Sequence, residues 1–205
     1  VVSVNSGGHA FQDLGVLAHV GQPEYDGGYQ GGRRLAAVGA RDALCVNHEV
    51  GNVALDLRCL GLSDALTASG GSVSTLAVDL ADPEDARQRV RGALSADPSV
   101  DAVLTLGTAG AEPTLQALRD AGRADVRFGT FDLSPSVLEQ TATGAVLFAI
   151  DQQPYLQGYL PVVLLTKYLE TGTMPGGGEP IRTGPRFVTA ESAQRVLELV
   201  ERGIR

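Results

Sequence analysis

Short, almost wholly apolar runs alternate along the chain with longer segments whose apolar residues recur at helical spacing. Val1–Asn5, Leu17–Gly21, Ala43–Asn47, Val73–Val78, Ala102–Leu106, Val126–Phe131 and Ala145–Ile150 read as strands. Helices are expected from about Tyr25 to Val38, Asn52 to Ser69, Glu112 to Ala121, Ser134 to Thr141, Leu156 to Glu170 and Ala190 to Arg202. A further helix opens at Asp82-Pro83-Glu84, with proline in the first turn and acids at the positive end of the helix dipole. The Gly176–Gly178 turn leads to short extended pieces near Ile181 and Phe187. Strands alternating with helices of this length build βαβ units and a mostly parallel sheet, so the fold class is α/β. The runs lack two-residue alternation, which predicts strands covered on both faces. No repeat longer than the βα unit and no low-complexity linker interrupts the pattern.

Composition removes several function classes. With 43% hydrophobic and 20% charged positions among 205 residues, the chain is not of the disordered type. The longest nearly uncharged stretch, Leu156–Thr166, is too short to span a bilayer and holds Gly158 and Pro161. A net charge of −8, with Lys167 the only lysine, argues against a nucleic-acid surface. The bias toward Arg, Ala and Gly reads as genomic base composition. Val1 opens directly into a strand-like run, with neither an initiator Met nor a signal peptide, which predicts a processed, truncated or partly observed chain. Cys45 and Cys59 fit buried thiols in a reducing compartment or a disulfide in an oxidising one.

Ligands of open α/β sheets bind beyond the carboxyl ends of the strands. Those positions here carry Asn5-Ser6, Asn47-His48-Glu49, Gly107-Thr108, Asp132 and Asp151-Gln152-Gln153, a set of hydrogen-bonding groups with few nucleophiles. There is no P-loop and no Gly-x-Ser-x-Gly elbow. His9, His19 and His48 are scattered and no Cys pair has ligand spacing, so neither a metal nor a cofactor is expected, and no enzyme activity. His48-Glu49 could form an acid–base pair, but neighbours on an extended strand end point apart, which favours an ordinary loop. Asp132 stands evenly between an N-cap for the helix after Ser134-Pro135 and a carboxylate aimed into a cleft. Arg58, among apolar neighbours on a helix that starts at a binding edge, offers planar donors suited to vicinal hydroxyls or a carboxylate.

In this order these residues resemble the sugar-binding proteins of bacterial ABC importers, the ribose-binding-protein-like group of type I periplasmic binding proteins. The resemblance runs over essentially the whole chain. Its most specific pieces are Gly129–Pro135, Phe148–Tyr159 and Thr183–Val188, supported by Val1–Ser6, Glu24–Gly28 and Arg58–Gly61. It implies two α/β lobes joined by three crossovers. Residues 1–21 and 152–185 would form part of the first lobe, and 22–151 with 186–205 the second. Crossovers are implied near Gly21–Pro23, Asp151–Gln153 and Pro185–Phe187. About three further βα units normally precede the strand that is here Val1–Asn5. Without them, apolar positions such as Leu160, Val163 and Leu164 would stay uncovered. A complete protein would be a monomer, and an incomplete one prone to self-association.

The ligand contacts implied by the resemblance are Asn5, Ser6, Arg58, Thr108, Asp132 and Gln152. The group usually has an acid where Asn5 stands, often Arg where Ser6 stands, and Asn near Gly107-Thr108; these departures bear on which sugar is bound. The aromatic expected near Asp79–Ala81 is absent. The implied ligand is a monosaccharide or cyclic polyol, the partner a membrane permease, and the location extracytoplasmic, with a signal or lipid anchor upstream of Val1. The same fold serves as effector domain in lactose-repressor-type regulators, which is the alternative. In an extracytoplasmic protein Cys45 and Cys59 could be joined, and two buried thiols stand level with that reading.

Overall fold

The computed structural model describes all 205 residues. Strands and helices follow as β1 (Val2–Val4), β2 (Ala18–Gly21), α1 (Glu24–Ala37), β3 (Asp42–Asn47), α2 (Val53–Thr67), β4 (Ser72–Ala77), α3 (Pro83–Ala96), β5 (Ala102–Thr105) and α4 (Thr108–Asp120). The chain continues through β6 (Arg127–Phe131), α5 (Pro135–Ala142), β7 (Phe148–Asp151), α6 (Pro154–Thr171), β8 (Ile181–Arg182), β9 (Arg186–Val188) and α7 (Ala190–Glu201). The α/β class and the mostly parallel pairing hold. β1-β2-β8 form a small parallel sheet, and β4-β3-β5-β6-β7-β9 a larger one in which only β9 runs antiparallel, against β7. No helix is long and apolar enough to cross a membrane.

The larger sheet is covered on both faces. α1 and α2 contribute Leu35, Leu55, Leu62 and Leu66 to one core layer, over Cys45, Leu104, Phe148 and Ile150. α3, α4, α5 and α7 contribute Val90, Leu94, Leu115, Leu138 and Val196 to the other. Central β5 is buried at every position, as its unbroken apolar run requires. β4 departs from that expectation. It is an edge strand, with Val73 and Leu76 half-buried and Ser72, Ser74 and Thr75 exposed.

Two element starts differ from the sequence reading by more than two residues. α4 begins at Thr108, a full turn before Glu112, and carries Pro113 inside it. Burial of Gly110 and Ala111 holds a first turn that propensity alone would not favour. β7 begins at Phe148, because residues 144–146 finish the turn after α5, with Gly144 at φ 84° and the Val146 amide donating to the Gln140 carbonyl.

α1 carries four glycines, each costing about 1 kcal/mol of helix propensity relative to alanine. Contact with α2 explains two of them, Gly28 and Gly32, while Gly27 and Gly31 face Phe131 and Ile150. A Cβ on Gly28 would lie 2.0 Å from the Arg58 carbonyl oxygen of α2, and one on Gly61 2.2 Å from the Tyr25 carbonyl oxygen of α1. The backbones therefore touch, which brings Glu24 at the start of α1 beside Arg58 of α2. A disulfide joins Cys45 of β3 to Cys59 of α2, resolving the pair that was open from sequence.

The chain passes between the two sheets three times: at Gln22-Pro23, at Gln152-Gln153 and through Thr183–Pro185. These passages are stitched together. The Gln152 carbonyl accepts from Thr183 Oγ1 (2.8 Å) and Gln157 Nε2 (3.0 Å), the Thr183 amide donates to the Gly21 carbonyl (3.0 Å), and Gln153 Nε2 donates to the Thr183 carbonyl. α6 packs on β1 and β2 through Gln157 and Pro161, its only buried residues. Leu160 and Leu164 are half-buried there and Val163 is exposed, so the uncovered stripe runs through Tyr155, Tyr159, Val162, Val163 and Leu169.

Candidate functional site

The register of the larger sheet sets the site. Phe131 of β6 pairs with Ile150 of β7, so Asp132 and Asp151 leave the carboxyl edge side by side. Asp132 sits at φ 67° while its amide donates to the Ile150 carbonyl (2.9 Å). It is not the helix cap: Ser134 caps α5, its hydroxyl accepting from the Val137 amide at 3.2 Å. The half-buried Asp132 carboxylate instead receives the Gln152 side-chain amide. Burial pushes the Asp132 carboxyl above its usual range, opposed by the Gln152 hydrogen bond and the Arg58 charge.

Arg58 is 4% exposed, and its side chain is fully spoken for on one side. Nε donates to Glu24 Oε2 at 2.6 Å, Nη1 to the Leu106 carbonyl at 2.7 Å, and the guanidinium lies 4.2 Å over the Phe131 ring. Gln22 Nε2 donates to the same Glu24 oxygen at 3.2 Å. Removing one partner of so buried a pair costs about 3–5 kcal/mol, because the other charge is stranded.

Thr108 opens α4 directly after Gly107, and a Cβ on Gly107 would lie 3.5 Å from Asp132 Oδ2 and 3.4 Å from His48 Cε1. The structure thus gathers Arg58, Thr108, Asp132 and Gln152 along one edge. Asn5 and Ser6 stand apart from that cluster, exposed at the end of β1, where they line a cavity of about 540 Å³ between the small sheet and the starts of α1 and α2. Asn5 reaches the inter-sheet network through Gln157 Oε1 (3.4 Å), and Glu24 belongs to both the cavity wall and the Arg58 pair.

Sequence reasoning missed two participants. Glu24 figured only within the Glu24–Gly28 stretch and had no role of its own. His48, set aside as a loop residue, turns its ring toward Gly107, near Asp132, and burial lowers its pKa. Gln22 Oε1, Glu24 Oε1, His48 Nδ1 and Gln152 Oε1 are buried without a partner, four such atoms in this one region. Native interiors satisfy nearly all such groups, so a concentration of orphans marks a place where a ligand or ordered water belongs.

Comparison with known proteins agrees with this architecture. A sequence profile described as a periplasmic binding protein domain matches residues 1–173. The carbohydrate transporter of Acidothermus cellulolyticus 11B, solved in complex with myo-inositol, is 36% identical, superposes with a TM-score of 0.92, and is matched over 100% of this chain and 70% of its own. The periplasmic ribose ABC transporter of Conexibacter woesei shares the fold at 20% identity, with a TM-score of 0.82 over 94% of this chain and 66% of that one. The xylose/arabinose-binding protein of Sulfolobus acidocaldarius is 26% identical over 198 residues. That match takes in 88% of this chain and 46% of the curated relative, so the chain spans less than half of that protein's length.

Proposed function

The chain belongs to the periplasmic binding protein domain family, and from that membership we propose that it is the solute-binding component of an ABC importer, taking a monosaccharide or cyclic polyol and handing it to a membrane permease. The observation that carries the reading is the 36% identity, across the whole chain, to a carbohydrate transporter solved with myo-inositol. The named relatives are transporter or sugar-binding proteins, which favours this reading over a regulator's effector domain. In it, residues 1–21 and 152–185 belong to one lobe and 22–151 with 186–205 to the other, with the three passages between sheets as hinges. An extracytoplasmic location accords with the Cys45–Cys59 disulfide.

A polyol presents hydroxyls that each donate and accept, and leaving water costs it every hydrogen bond that is not replaced. The proposed contacts answer in kind. Arg58 offers donors, Asp132 acceptors, and Gln152, Thr108, Asn5 and Ser6 offer both. Asp132 and Gln152 already orient each other, so little side-chain freedom is lost on binding. A hydrogen bond to a charged group contributes roughly 1.5–3 kcal/mol. Asp132→Ala is therefore expected to weaken binding by about ten- to a hundredfold or more. Isothermal titration of the protein with myo-inositol, D-ribose, D-xylose and L-arabinose checks both claims. Unchanged affinity in Asp132→Ala would remove the site assignment.

A further inference from the structure

We infer that Glu24 sets the charge class of the ligand: by engaging Arg58 it makes the binding edge accept uncharged polyhydroxy compounds and reject their carboxylates. The inference rests on the sugar-binding reading above and goes beyond it in naming the residue that selects.

An arginine at a binding edge is by default a carboxylate receptor, since its planar fork matches two oxygens at once. Arg58 is not free to act so. Its Nε is held by Glu24 Oε2 at 2.6 Å and its Nη1 by the Leu106 carbonyl, with the two side chains only 5% and 6% exposed. Nη2 and the second N–H of Nη1 are left without a hydrogen-bond partner in the chain, so donors remain, but their positive charge is already answered by Glu24. The other Glu24 oxygen, Oε1, is also unpartnered, and Glu24 lines the cavity between the small sheet and the starts of α1 and α2. The pair thus presents donors and an acceptor with no net charge, which suits a hydroxyl better than a carboxylate.

The remaining charges point the same way. Asp132 adds a carboxylate to the edge, and Glu179 another to the cavity. Arg182, on the cavity wall, is paired with Asp26 at 2.9 Å, and Arg205 with Asp151 at 2.8 Å. An incoming carboxylate would meet Glu24, Asp132 and Glu179 with only a neutralised guanidinium to offset them. The close approach of α1 and α2 at Gly28 and Gly61 keeps Glu24 on Arg58, so the rejection is built into the helix packing.

The test uses the full chain, with myo-inositol, D-ribose and D-xylose as neutral probes and D-glucuronate, which is a xylose ring bearing a carboxylate, as the anionic one. The unaltered protein is expected to bind a neutral probe and not glucuronate. Glu24→Gln is expected to weaken the neutral probe about tenfold and to tighten glucuronate by about tenfold or more, as an unpaired Arg58 captures it. Glu24→Asp shortens the side chain but keeps its charge. It should lose affinity for the neutral probe and still reject glucuronate, and it decides the matter if circular dichroism shows Glu24→Gln unfolded. Continued rejection of glucuronate by a folded Glu24→Gln protein, or its acceptance by Glu24→Asp or by the unaltered chain, overturns the role of Glu24 and leaves the sugar reading standing. An unaltered chain that binds no neutral probe removes both.

Discussion

Asp132 is held where its own burial works against it. The folded chain raises its pKa, so its stabilising contribution is full below the ordinary carboxyl range and is lost as pH rises through the folded value. At neutral pH the ionised group therefore costs stability, as binding groups held ready for a ligand commonly do. Asp132→Asn keeps the shape, tolerates the φ of 67° and removes the charge. It should raise the melting temperature at pH 7 by roughly 2–4 °C per kcal/mol recovered, while weakening ligand binding more than about tenfold. Melts at pH 7 and at pH 3 check this; a destabilised Asn variant at pH 7 would contradict it. The non-glycine residues at positive φ are Asn5, Asp132 and Gln153, each just past a strand end at the inter-sheet region. Such geometry costs about 1–3 kcal/mol per residue and clusters at functional sites. Sequence could place Asp132 at a strand end but could not choose between cap and cleft, because the choice depends on Ser134 taking the cap. Glu24 was illegible for a similar reason: an acid in a first turn is ordinary, and only the neighbouring helix turns it into the partner of Arg58.

Among the elements, α1 and α2 act as one unit. Their contact leaves no room for a side chain at Gly61, so Gly61→Ala must push the helices apart, at a cost of roughly 1–3 kcal/mol. The same shift would draw Arg58 from Glu24 and weaken neutral-ligand binding. Gly92, in α3, provides the control. A Cβ there meets nothing within 4 Å, so Gly92→Ala should stabilise by up to about 1 kcal/mol. Urea denaturation of both variants tests the contrast, and equal effects would remove the packing argument. The Cys45–Cys59 bond ties α2 to β3 across 14 residues of sequence, a loop whose closure is worth about 3 kcal/mol. Thiol titration of the denatured, unreduced protein should find no free cysteine. The strands and most helices were legible because burial on one or two faces writes itself into local periodicity. α4 was placed a turn late, from Glu112, because tertiary burial of Gly110 and Ala111 sets its first turn.

For the molecule as a whole, acid should destabilise. His19 is buried in β2, its ring hydrogen-bonded to Ser3 Oγ at 3.0 Å and influenced by Glu24 and His9; His48 sits near Glu49, Arg58 and Asp132. Burial lowers both pKa values below the ordinary 6.5. A depressed folded pKa contributes stability that is present above the unfolded value and lost as pH falls through it, since the unfolded chain takes up the protons first. The urea midpoint is therefore expected to fall between pH 7 and pH 5, and less so in a His19→Gln/His48→Gln protein. A midpoint independent of pH in the unaltered chain would contradict this. Asp132 acts in the opposite sense, within the carboxylate range.

The amino-acid sequence by itself determined the alternation of strands and helices, the α/β class, the lack of an apolar stretch long enough to cross a membrane, and the polar character of the strand ends at Asn5, Asn47, Thr108, Asp132 and Gln152. All of these depend on side-chain chemistry read over a few neighbouring residues. The tertiary structure decided which strand ends meet, that Asp132 answers to Gln152 instead of capping α5, that Cys45 and Cys59 are joined, and that Arg58 is bound to Glu24. Each of these is a contact between residues distant in the chain, set by strand register and by how closely two helices approach, and no local pattern encodes it.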